Sequence, residues 1–168
     1  SKQSYHESNY GGKKIVEWPF YNFLNIYLND SESIAQKLWV EWLAKEYYKY
    51  CSISKIKGGM LNGSIHKQAI EILNKDEQYY LNNPKKIDKK IILKSCELFV
   101  RNKFKLVESI KCDGFIYSNS NKIFANYKSN KYELFSGHHR LAILKLLNYK
   151  KIDQIWVYTM IYKIIKKL

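Results

Sequence analysis

Apolar residues recur at helical spacing in several stretches of this chain and alternate with polar ones in others. Trp18-Pro19 opens a short helix running to about Leu28, because proline is tolerated in a first helical turn. Asn29-Asp30-Ser31 breaks it and caps the next helix. That helix, over about 32–50, carries Ile34, Leu38, Trp42 and Leu43, with Tyr47 and Tyr50, as its apolar stripe. A glycine-rich turn, 57–64, precedes a third helix over 65–74. Asn62 or Ser64 caps that helix, or the turn serves as a substrate-side loop. Residues 76–90 are polar and lysine-rich around Pro84 and read as a connector.

Beyond the connector, Ile91-Ile92-Leu93 reads as a strand. A helix over 97–111 follows, with Leu98, Val100, Phe104, Val107 and Ile110 near one face and Asp113-Gly114 as its stop. Residues 122–128 and 131–135 pair as a hairpin across Ser129-Asn130. Leu141, Ala142, Leu144 and Leu147 predict one more helix, and the β-rich stretch 154–162 a last strand. The expected fold class is therefore α+β, a small mixed sheet with helices preceded by a helical N-terminal subdomain. The expected domains are a helical extension over 1–85 and a second domain over 86–168.

Composition changes this picture in three places. The formal charge of +14 suggests a polyanionic partner. Yet of 29 basic residues only Arg101 and Arg140 are arginine, so base-reading forks are scarce and the lysines read mostly as a solvated surface. Cys51, Cys96 and Cys112 are odd in number and lack a C-x-x-C pair, which points to reduced thiols in a cytoplasmic protein. No apolar run approaches the roughly 20 residues of a membrane span.

The most distinctive chemistry lies at the junction of the hairpin and the helix after it, Ser136-Gly137-His138-His139-Arg140. A helix start presents outward N–H groups and the positive end of its dipole, which suits an anion. Gly137 allows close backbone approach, and Arg140 offers a planar fork for phosphate or carboxylate. Either histidine can donate to a phosphate oxygen or move a proton near neutral pH. Adjacent helical histidines point about 100° apart, so they do not share one metal. With only His6 and His66 elsewhere, no metal–histidine site is expected.

The stretch Leu134-Phe-Ser-Gly-His-His-Arg-Leu-Ala-Ile-Leu-Lys-Leu-Leu-Asn148 resembles the nucleotide-binding signature of the ParB/sulfiredoxin superfamily, and 106–115 resembles the helix leading to its central hairpin. The resemblance covers about residues 90–160. It is nearest to the free-serine kinase branch, whose turn reads Asp-Gly-His-His-Arg; here Ser136 stands in place of the aspartate. His138 replaces the cysteine that sulfinic-acid reduction needs, and the Gly-Glu-Arg-Arg of the CTP-binding partitioning branch is absent. The resemblance implies that Ser136, Gly137, His138, His139 and Arg140 hold nucleotide phosphates, with His139 also catalytic. It implies ATP or another nucleoside triphosphate or diphosphate, and Mg2+ bound largely by phosphate oxygens. Glu97 is the candidate general base on the substrate hydroxyl, or else a carboxylate favouring its helix N-terminus; Glu108 and Asp113 are alternatives. The expected function is a nucleotide-dependent phosphotransferase acting on the hydroxyl of a small metabolite. The alternative is a non-catalytic module holding a nucleotide, or DNA through its lysines.

Overall fold

The computed structural model describes residues 13–53, 61–116, 122–128, 131–150 and 156–158. Helices dominate them. A 3-10 turn, Ile15–Glu17, leads to α1 (Pro19–Asn29), α2 (Glu32–Ile53), α3 (Leu61–Leu73) and the short α4 (Glu77–Asn82). A second 3-10 turn, Pro84–Lys86, leads to α5 (Lys89–Asp113). Then come β1 (Phe124–Lys128), β2 (Lys131–Ser136), α6 (His138–Leu146) and β3 (Trp156–Tyr158). The longest helices have 22 and 25 residues, the strands only three to six. The α+β class expected from the sequence is thus corrected: the chain is mainly helical.

The main cause of the correction is α5. Ile91-Ile92-Leu93, read as a strand, lies in its first turns. Asp88 starts the helix by accepting the Lys90 N–H on its carboxylate at 2.7 Å. From there Ile92, Cys96, Val100, Phe104, Val107 and Ile110 follow at steps of four and three, all buried. Three β-branched or branched residues cannot override a stripe six positions long. The 76–90 connector is corrected for a similar local reason. The Asp76 side chain accepts the Tyr79 N–H at 3.1 Å and nucleates α4. Asn62, Gly63 and Ser64, expected as turn and cap, lie inside α3, whereas Lys57–Met60 fall outside the described residues.

By its contacts the chain forms two compact units, Asn22–Glu108 and the pair of segments Ser1–Tyr21 and Ser109–Leu168. These follow other lines than the expected boundary at 85/86. In the 22–108 unit the α2 face that is buried is Ala35, Trp39, Leu43 and Tyr47, with Val40 and Ala44 beside it. Ile34 and Leu38, expected in the stripe, are 48% and 39% exposed. The helix is apolar on more than one side, so packing rather than periodicity selects the face. Trp39 meets Phe23 and Phe104, and Tyr27 stacks on Phe104 at 4.0 Å between ring centroids. The Tyr27 hydroxyl donates to Glu108 at 3.1 Å; burial and that carboxylate push its pKa up to about 12. Glu108, a weaker candidate base, is thereby engaged in packing. Cys96 is buried, and burial raises its thiol to about 12, whereas Cys112 is exposed.

A second buried polar group joins three helices of this unit. Tyr47 of α2 meets His66 Nδ1 of α3 at 2.7 Å, and His66 Nε2 meets the Tyr80 carbonyl of α4 at 3.0 Å. A carbonyl only accepts, so Nε2 carries the proton and Nδ1 accepts the Tyr47 O–H.

In the other unit β1 lies between its neighbours, in the order β2-β1-β3. The hairpin expected at 122–135 forms: β1 runs antiparallel to β2, from Lys128 opposite Lys131 to Phe124 opposite Ser136. Its turn, Ser129-Asn130, lies outside the described residues. The register shifts between Phe124 and Ala125, beside the end of β2. β3 pairs parallel to β1, Phe124 to Trp156. Trp18, Phe20, Ile123, Ala125, Ala142, Ile143 and Leu144 are buried here.

Candidate functional site

The turn after β2 is built by one residue that has no side chain. Gly137 has φ +94° and ψ +15° and occupies the N-cap position of α6. A Cβ there would lie 3.0 Å from both Cα and Cγ1 of Ile123, itself buried. The chain therefore needs glycine twice, for the left-handed conformation and for the close approach to the segment entering β1. Its carbonyl accepts the Leu141 N–H at 2.9 Å, so α6 begins immediately. No acidic residue lies in the first turn of α6. Histidine, histidine and arginine occupy it instead, at the positive end of the dipole.

The three side chains are not equally available to a ligand. His138 is 5% exposed, and its ring lies 5.2 Å from that of Trp18. The His139 ring packs on Phe20 at 4.3 Å between centroids, with 35° between planes. Arg140 is half-buried and donates from Nη1 to the Lys122 carbonyl at 3.2 Å. Burial lowers its guanidinium pKa, because desolvation disfavours the charged form. Ser136, half-buried, ends β2 opposite Phe124. Ser136, Gly137, His138, His139 and Arg140 are adjacent through the chain itself, at the end of β2 and the start of α6. The structure shows that His138 and His139 are flanked by aromatic rings that sequence reasoning assigned only to a helix start. The only local signal was two aromatics around Pro19.

Neither a family model nor a curated protein nor a solved structure matches this chain. The site is therefore read from its own residues.

Glu97, expected at the start of its helix, is corrected in position. α5 begins eight residues earlier, so Glu97 sits within the helix and gains nothing from the helix N-terminus. It belongs to the 22–108 unit, and the turn to the other. It lines an open groove on α5 with Lys90, Leu93, Lys94, Leu98 and Arg101. Asp113, the remaining alternative, is the last residue of α5, exposed, and accepts from Ser109 at 3.5 Å. Among the described residues, no three or more His, Cys, Asp or Glu side chains converge as metal ligands, so they offer no cage for the Mg2+ implied by the resemblance. Such an ion would be held by the oxygens of a bound nucleotide. Among the same residues no helix is long and apolar enough to cross a membrane.

Proposed function

We propose that the chain binds a nucleotide through its phosphates at the 136–140 turn. The observation that carries this reading is Gly137, left-handed and packed against Ile123, delivering β2 directly into a helix whose first turn is basic and free of acid. A phosphate suits a helix start, where backbone N–H groups and the dipole favour an anion, and Arg140 in the same turn carries a guanidinium that pairs with phosphate. Arg140 is the direct ligand in this reading. His138 is buried against Trp18 and shapes the turn, and His139 presents whatever edge Phe20 leaves accessible. The resemblance to nucleotide-binding turns supplies the nucleotide as ligand class. The proposal stops at binding. Glu97 belongs to the 22–108 unit, and no phosphoryl-transfer step is assigned to it.

Titration calorimetry with ATP, ADP, CTP and GTP in the presence of Mg2+ tests the reading. At least one should bind, and Arg140→Ala should weaken it about 10- to 100-fold, the worth of a charge-assisted hydrogen bond. Arg140→Lys, which keeps charge but not the fork, should fall between. Circular dichroism of each variant separates loss of ligand from loss of fold. Equal affinity in folded Arg140→Ala protein, or no nucleotide binding by the parent chain, removes the assignment.

A further inference from the structure

The groove on α5 belongs to the 22–108 unit and has its own chemistry. It is open, with a volume of ≈ 440 Å3, and its basic members are Lys90, Lys94 and Arg101. All three are exposed, as is Lys105 one turn beyond Arg101. At 3.6 residues per turn these four lie within an arc of about 60°, and at 1.5 Å per residue they span about 22 Å. Arg101 is one of the chain's two arginines. The side chains of Lys90, Lys94, Glu97 and Arg101 form no hydrogen bond or ion pair with a described residue. Four cations on one helix face repel one another, and Glu97, one turn from both Lys94 and Arg101, offsets them only in part. Glu97 is the single carboxylate lining the groove.

We propose that this face of α5 binds the phosphate backbone of a nucleic acid, without reading its bases. Charge complementarity selects the occupant. A straight, 22 Å row of cations matches a polymer with evenly spaced charges better than a compact anion. The whole chain, at +14 with a pI of about 9.5, steers polyanions toward it. Leu93 and Leu98 flank the row and offer no hydrogen bonds, and no aromatic ring lines the groove among the described residues, so neither base-edge nor stacking contacts are supplied. Glu97 opposes the phosphates and tempers affinity.

Fluorescence anisotropy with a labelled duplex oligonucleotide of mixed sequence tests this in the full chain. Four phosphate contacts predict a log–log salt slope near −3.6 and roughly a hundredfold loss of affinity between 50 and 200 mM salt. Replacing Lys90, Lys94, Arg101 and Lys105 by glutamine should remove most of that slope. Replacing the exposed Lys37, Lys45, Lys67 and Lys75 removes the same charge from elsewhere in the chain and should leave the slope largely in place. Glu97→Gln should tighten binding, which a purely structural role for that residue would not do. Three outcomes overturn the proposal: no binding by the parent chain, equal losses from both lysine sets, or a poly-glutamate peptide that binds this face as tightly as the duplex. The last would assign the face to an acidic protein partner. Circular dichroism confirms that each variant remains helical.

Discussion

Gly137→Ala should destabilise the protein by about 2–5 kcal/mol. Two costs act together. A non-glycine residue at φ +94° pays about 1–2 kcal/mol for the left-handed conformation. The new methyl group also meets the Ile123 backbone Cα at 3.0 Å, and a main-chain atom in a buried strand entrance cannot swing aside as a side-chain tip can. Overpacking of this kind costs about 1–3 kcal/mol. For a chain of this size the sum corresponds to a fall of roughly 5–15 °C in the thermal midpoint, read by circular dichroism. Gly114 supplies the control. It also has positive φ, +76°, but a Cβ there meets only the Tyr149 hydroxyl at an ordinary 3.7 Å. Gly114→Ala should therefore show the conformational cost without the steric one. If the two substitutions cost the same, the close approach of Gly137 to Ile123 is not what shapes the turn.

The second large effect lies in the 22–108 unit. His66→Ala should cost about 2–5 kcal/mol, because it takes the Nδ1 acceptor from the buried Tyr47 hydroxyl, leaves the Tyr80 carbonyl only the Asn83 N–H, and opens a cavity. Tyr47→Phe should cost less, since only the Nδ1 acceptor is orphaned. A pH dependence distinguishes this pair from ordinary packing. His66 is 1% exposed, and burial lowers its pKa below the usual 6.5, against the raising effect of the Tyr80 carbonyl. The unfolded chain therefore takes up the proton first. The stability that neutral His66 contributes is fully present above about pH 6.5 and is lost as pH falls from there toward the lowered folded value. Protonation would also turn Nδ1 into a donor facing the Tyr47 hydrogen, forcing that hydroxyl to reorient. Urea unfolding across pH 5–8 should show this decline, and His66→Ala should remove it. An unchanged pH profile in that variant would assign the decline to other groups.

Local chemistry accounts for what was legible. Pro19, the Asn29-Asp30-Ser31 break and the alternation on either side of Ser129-Asn130 act over a few residues, and α1, the start of α2 and the hairpin lie close to where they point. The same holds for the turn at 136–140, where strand, glycine and helix follow one another. Short apolar runs were not legible. Ile91-Ile92-Leu93 satisfies a strand and a buried helix equally, and only its continuation through Ile110 decides between them. That one ambiguity carried the α+β expectation with it, and misplaced Glu97 at a helix start.

What the sequence by itself determined is where the chain must turn, which residue must be glycine there, and that a scarce arginine and two histidines gather at one helix start. Only the tertiary structure decided which of them pack against aromatic rings. His138 and His139 meet Trp18 and Phe20 about 120 residues away in the chain, and Tyr47 reaches His66 from another helix. Such partners are chosen by burial and close packing among distant segments, and no local spacing encodes them.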